Sequence, residues 1–209
     1  MARNKRPQDA DEKRAEIVAA ARRLFVDIGY DATSMSRLAQ QAGVAPNTIY
    51  WYFRDKDDVL IAVLNAVVAD AWSQYQGVAS EPIAARILWL VRQLTQMSRL
   101  VNTVHARVEH SPALAEWHHN FHLLTEGLFR HELESLGVPT ETLDAEVMIG
   151  VFVVEGLLTH DQDEEQQRAV CDVLAARWSS AGPPTLDRAP GLPGAGAPSP
   201  GGSLAQEDL

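Results

Sequence analysis

Asn47, Thr48, Tyr50, Trp51 and Tyr52 place an amide, a hydroxyl, two phenols and an indole within six residues. Such a set is suited to gripping another molecule rather than transforming one. Amides and hydroxyls hydrogen-bond to base edges and phosphate oxygens, and aromatic faces cover apolar surface on contact. Ser34, Ser36 and Arg37 precede this group and Lys56 follows it, adding hydroxyls and cations of the kind that hold phosphates. Motifs for catalysis are missing: no nucleophile elbow, phosphate-binding glycine loop or dinucleotide fingerprint is present, and His131-Glu132 runs into Leu-Glu-Ser without a second ligand at zinc-protease spacing. The pattern therefore predicts recognition, no enzyme and no cofactor.

The elements that position these residues follow from apolar spacing. Met35, Leu38, Ala39 and Ala42 recur at helical intervals, and Gly43 stops that helix where a left-handed residue is cheap. Beyond the turn, Ile49 and Phe53 lie four apart and share one side of a second short helix. Tyr50, Trp51 and Tyr52 are then spread around the rest of its surface, with Trp51 roughly opposite Ile49. Three consecutive aromatics cannot all be core, so a partner surface is expected to cover some of them. A helix-turn-helix entering a DNA major groove fits, with Pro46, Asn47 and Thr48 at the leading end. The Asn47 amide is suited either to reading adenine or to capping the helix. Ile17, Ala20, Ala21, Leu24, Phe25 and Ile28 form the apolar face of a helix that buttresses the motif. Asp55 is placed to cap the next one, whose stripe runs from Val59 to Tyr75 and ends before Gly77.

Residues 29 to 60 closely resemble the signature of TetR-type (TetR/AcrR-like) transcriptional regulators. That signature reads Gly-aromatic-x-x-Thr-Ser/Thr, then Leu-Ala-x-x-Ala-Gly-Val, then Thr-Ile/Leu-Tyr-x-His/Tyr-Phe-x-x-Lys-Asp/Glu-x-Leu. Carried over by position, the resemblance puts Pro46, Asn47, Tyr50 and Trp51 nearest the bases, joined by Ser36 and Arg37. It puts Ser34, Thr48, Tyr52 and Lys56 on phosphates. Tyr52 stands where many members carry His, and a phenol still donates to phosphate. The implied fold is all-α: an N-terminal three-helix DNA-binding domain followed by a helical ligand-binding and dimerisation domain. The implied partners are a double-stranded DNA operator, a small-molecule effector and a second copy of the chain.

The net charge of −10 is unevenly divided. Through residue 60 there are ten Lys and Arg against nine Asp and Glu, and every lysine of the chain lies there; the remaining residues carry a net −11. A near-neutral DNA end on an acidic body orients the molecule on a polyanion. With 46% apolar residues the chain has ample material for a core, and its longest apolar run, Val147 to Val154, is far below the ~20 residues of a membrane span. No membrane partner and a cytoplasmic location are expected. A single cysteine, Cys171, excludes an intramolecular disulfide and reads as a small buried apolar residue.

Further helices are expected over roughly 82–97, 100–110, 112–136, 140–160 and 163–180. The expected organisation is a flexible basic arm over 1–10, a DNA-binding domain over 11–54, an effector-binding and dimerisation domain over 55–181, and a disordered Pro/Gly-rich tail over 182–209. The last two helices carry more apolar surface than one chain needs, and Val147, Val151, Phe152, Val154, Leu158, Val170, Leu174 and Trp178 are expected at a dimer interface. Trp72, Tyr75, Trp89, Met97, Trp117, Phe121 and Phe129 supply large apolar surfaces for an effector pocket between helices. Only Arg86, Arg92, Arg99, Arg107 and Arg130 are placed to meet an acidic ligand, which favours an apolar or amphipathic effector.

Two alternatives stand beside this reading. One is a helical protein-interaction module without specific DNA binding. The other is a metal-responsive regulator using the His-rich segment 105–122, where His118, His122 and Glu126 recur at four-residue spacing. Adjacent His118 and His119 cannot share a face, and no metal site is expected in the preferred reading.

Overall fold

Alternation of apolar positions at helical spacing, broken by glycine, proline and capping residues, yields nine helices among the described residues. The structure is a computed structural model that describes residues 5–160 and 162–179, with side chains from Ala10 onward. In chain order the helices are α1 (Lys5–Asp27), α2 (Met35–Gln41), α3 (Pro46–Tyr52), α4 (Lys56–Tyr75), α5 (Ile83–Gln96), α6 (Ser98–Arg107), α7 (Pro112–Ser135), α8 (Thr140–Thr159) and α9 (Glu164–Ser179). Residues 5–10 of the expected arm already belong to α1. Residues 1–4 and the expected tail over 182–209 lie outside the described residues.

Local signals set the boundaries. Ser34, Asp55 and Ser111 cap α2, α4 and α7 with side-chain oxygens that accept from the backbone N–H groups of Arg37, Asp58 and Leu114. Asp57 and Asp58 add negative charge to the first turn of α4, where the helix dipole favours it. Gly43 takes φ +65°, and the N–H groups of Gly43 and Val44 bond back to the carbonyls of Gln40 and Ala39 at 3.2 and 3.0 Å. This closes α2 in a Schellman turn and aims α3 across it.

Two apolar cores hold the chain. The first joins Ile17 and Phe25 of α1, Leu38 of α2, Ile49 of α3 and Leu60 of α4 to Leu100 and Val104 of α6 and Leu114 of α7. The second joins Ile87 and Val91 of α5, Leu133 of α7, Leu143 and Val147 of α8, and Cys171 and Trp178 of α9. The division expected after residue 54 therefore crosses a continuous core. Helices α1 to α3 do not enclose this interior by themselves, and α4, α6 and the start of α7 complete it. Each large side chain buried there contributes about 1.5–3 kcal/mol, so α6 is part of what holds the motif in shape.

In the second core, α5 packs on α9 and α7 on α8. Buried Gly150 of α8 lies against the Phe129 side chain of α7: a Cβ there would stand 2.0 Å from the Phe129 ring. Glu146 is 8% exposed and accepts three hydrogen bonds from Arg177, at 2.7 to 3.1 Å, and one from the Trp178 indole at 3.0 Å. Arg177 above all, with the Trp178 indole, holds the Glu146 carboxyl below its ordinary value against the opposing effect of burial. Cys171 is buried as expected, and burial pushes its thiol up to about 11.

Candidate nucleic-acid interface

The short helix α3 begins with Ala45 as its N-cap and Pro46 in its first turn, with no side-chain hydrogen bond at the cap. Of the two roles open to Asn47, capping is thereby removed; its amide is exposed beside the helix start. Ile49 and Phe53 are 0% and 3% exposed, whereas Tyr50 and Trp51 are 56% and 88% exposed. One side of α3 is thus locked into the first core, and the other presents an almost free indole and a phenol.

The remaining candidates fall around this face. Ser36, Arg37 and Pro46 are exposed, while Thr48 and Tyr52 are half-buried along the sides of α3. Ser34 is exposed, but its hydroxyl oxygen already accepts from the Arg37 N–H at 3.1 Å. Lys56 is more constrained than a simple phosphate contact implies. Its ammonium donates to the carbonyls of Tyr30 and Thr33 at 2.9 and 3.0 Å and lies 4.0 Å over the Tyr30 ring. Burial pulls its pKa below the ordinary lysine value. Lys56 therefore fastens the loop before α2 to the start of α4, with at most one of its three N–H donors left for a phosphate.

Charge motifs at the sequence level did not disclose a second network. Asp57, on the first turn of α4, receives both arms of the Arg107 guanidinium at 2.8 Å and the Tyr30 hydroxyl. Burial opposes its charge, but hydrogen bonds from Arg107, Tyr30 and Ser111 prevail and hold the carboxyl below its usual range. Burial also pushes the Tyr30 phenol well above its ordinary value, and Asp57 adds to that shift. At the opposite end of α6, Arg99 donates to the carbonyls of Val26 and Asp27 at the end of α1, at 3.0 and 2.6 Å. A cation there satisfies carbonyls that the helix leaves open. Helix α6 thus grips the N-terminal helices at two points. Both partners are distant in sequence, and spacing alone carries no signal for either grip.

The comparisons agree with this geometry. The profile of the bacterial regulatory proteins of the tetR family matches residues 17–63, which run from α1 through the motif into α4. Residues 17–63 thus form a TetR-type DNA-binding region. A transcriptional regulator HbdR from Aromatoleum sp. (strain CIB) is 40% identical over 68 residues, 32% of this chain and 29% of that protein. AcrR from Shigella flexneri is 46% identical over 59 residues, 28% of this chain and 27% of that one. These curated relatives are thus matched over less than a third of their length. Among solved structures, a TetR transcription regulator from Haloarcula marismortui superposes with TM-score 0.66 at 17% identity, covering 82% of this chain and 98% of that one. A transcriptional regulator from Saccharomonospora viridis, solved in complex with choline, also gives 0.66 at 17% identity, covering 79% and 96%. At such identities the likeness is one of fold, and it extends the TetR architecture through the body.

The expected dimer residues separate into two sets. Phe152 and Val170 are exposed, and Val151, Val154 and Leu158 are partly so. Val147, Leu174 and Trp178 are interior instead, filling the second core against Phe129 and Glu146. Sequence periodicity cannot separate these sets, because α8 is apolar on several faces. Met148 and Val173, on the same two helices, are 55% and 73% exposed. A shallow groove of about 430 Å³ runs between Val153, Ala169, Val170, Val173, Leu174 and Arg177.

The aromatic candidates also divide. Trp72, Tyr75 and Trp89 form one cluster, with ring centres 6.0 and 5.8 Å apart. Trp117 and Phe121 stack at 5.3 Å, with the Trp117 indole donating to Asn65. Phe129 packs edge-on against Trp178, and Met97 lines the first core. All five candidate arginines are engaged. Arg86 meets Glu132 and Tyr75, Arg92 meets Glu164, Arg107 meets Asp57, Arg130 meets Asp144, and Arg99 holds the end of α1.

Proposed function

We propose that this chain is a ligand-responsive, sequence-specific DNA-binding regulator, acting as a homodimer that represses from a palindromic operator. The observation that carries the reading is α3 itself: a helix anchored by Ile49 and Phe53 whose opposite side leaves Trp51 88% exposed. Bare aromatic surface on a recognition helix is explained by a duplex that covers it. Pro46, Asn47, Tyr50 and Trp51 lie against bases with Ser36 and Arg37, while Ser34, Thr48, Tyr52 and Lys56 face phosphates.

The second copy docks through the exposed apolar face of α8 and α9, centred on Met148, Phe152, Val170 and Val173. A two-fold pair places two copies of α3 on half-sites separated by whole helical turns. The effector enters the body, and the engagement of Arg86, Arg92, Arg99, Arg107 and Arg130 within the chain supports an apolar, amphipathic or cationic molecule over an acidic one. The choline held by the Saccharomonospora viridis protein of the same fold accords with that chemistry. Effector binding must favour one spacing of the two motifs over the other, or no switching follows. Helix α4 transmits the change, since it begins at the motif and ends in the body. No described helix is long and apolar enough to cross a membrane, and we place the protein in the cytoplasm.

Fluorescence anisotropy tests the reading, using DNA from upstream of the chain's own gene against scrambled duplex at several salt concentrations. Tight binding that prefers the native fragment and weakens steeply with salt is expected. Salt-insensitive binding, or none to any duplex, favours the protein-interaction alternative.

A further inference from the structure

The polar face shared by α6 and α7 holds three imidazoles that the DNA-binding reading does not use. His118 and His122 lie one turn apart on α7, and their Nε2 atoms face each other at 3.1 Å. The His105 ring, carried by α6, stands edge-on to His118 with ring centres 5.2 Å apart. His105 is exposed and the other two are partly so, which leaves the cluster open to solvent.

Two neutral imidazoles in this arrangement can share one Nε2–H between them and leave the other Nε2 as acceptor. Protonating both sets N–H against N–H. We propose that His118 and His122 form a chelate for a divalent transition-metal ion of the zinc or nickel class, with His105 as third ligand from α6.

The distances support that assignment. At zinc–nitrogen bond lengths of about 2.0–2.1 Å, two nitrogens on one tetrahedral ion stand roughly 3.3 Å apart. The observed 3.1 Å needs only a small opening of the pair. The His118 and His122 ring centres stand 4.4 Å apart and those of His105 and His118 5.2 Å apart, so His105 is a neighbour that must turn its ring to join the ion. Among the described residues no group of three or more His, Cys, Asp or Glu side chains is placed to hold a metal ion as it stands, so the assignment rests on the His118–His122 pair. The pair is an open chelate with positions left for His105 and water. Histidines at i and i+4 of a helix are suited to such binding because both rings leave the same face. The ion would join α6, which grips the N-terminal helices through Arg99 and Arg107, to α7.

Isothermal titration of the full chain, purified without a histidine tag, with zinc chloride and then nickel chloride at neutral pH tests the site. One ion per chain is expected. His118→Gln and His122→Gln should each weaken binding at least tenfold, His105→Gln should weaken it less, and His131→Gln, elsewhere on α7, should leave it unchanged. Circular dichroism verifies that each variant keeps its helices, and cobalt(II) absorption supplies a second readout of nitrogen ligation. Absence of a saturable one-to-one isotherm overturns the proposal. So does binding that survives in both His118→Gln and His122→Gln. Because the titration contains no DNA, its outcome is independent of the operator-binding reading.

Discussion

Replacing Arg107 by Met keeps much of the aliphatic stem and removes the fork that holds Asp57. Fully buried ion pairs cost about 3–5 kcal/mol when one partner is removed, and exposed pairs about 0–1 kcal/mol. The Arg107 and Asp57 side chains are 29% and 17% exposed, so the loss falls between these limits, at about 2 kcal/mol. Tyr30 and Ser111 still donate to Asp57, which keeps the figure from the upper end. For a chain of this length each kcal/mol shifts the melting temperature by about 2–4 °C, giving an expected fall of about 4–8 °C. The pH dependence provides a sharper check. The Asp57 pKa is depressed in the folded chain, so its stabilisation is present above the unfolded value of about 3.9 and disappears as pH falls through the lower folded value. Thermal melts followed by circular dichroism should show the gap between parent and Arg107→Met at neutral pH and its closure in acid. A gap under about 1 °C at neutral pH, or one of equal size in acid on the same two-state scale, refutes the assigned grip.

Other variants test separate parts of the molecule. Trp51→Ala and Tyr50→Ala should each weaken specific operator binding by about tenfold or more, at about 1–3 kcal/mol per lost base contact, with melting unchanged; anisotropy that shows parental affinity in both refutes the recognition surface. Lys56→Ala should weaken binding to all sequences and also lower the melting temperature, because two carbonyls lose their donor; a salt titration paired with a melt separates the two effects. Gly150→Ala should destabilise by about 1–3 kcal/mol, since the new Cβ overlaps the Phe129 ring; an unchanged urea midpoint contradicts that close approach. Phe152→Asp, a change at an exposed position, should halve the mass found by light scattering while far-ultraviolet circular dichroism is retained; a dimer at micromolar concentration in that variant moves the interface off α8.

The motif was legible because its signals are local. Ile49 and Phe53 share a face by spacing alone, Gly43 sits at a left-handed stop, and Asp55 precedes an apolar stripe, so helix boundaries and the exposed aromatic face follow without tertiary information. The Asn47 alternatives needed coordinates, because capping depends on which residue is first outside the helix, and that residue is Ala45. Lys56 shows a further limit. Its position at a helix start suggests a phosphate contact, whereas its bonds to Tyr30 and Thr33 depend on a loop folding back across α4.

The body was less legible for a related reason. Helices apolar on several faces carry no periodic mark of which face meets a partner and which meets the core, so Trp178 and Phe152 looked equivalent. They separate through one polar contact: buried Glu146 takes the Trp178 indole N–H and the Arg177 fork, rotating α9 so that Leu174 and Trp178 turn inward. Val173 and Val170 are left exposed, as are Phe152 and Met148 of α8. A buried carboxylate with an exposed arginine over it orients a helix that hydrophobicity alone would leave free to rotate. The apolar face it leaves outside is the one on which the proposed dimer depends, so register within the chain and assembly between chains share one determinant.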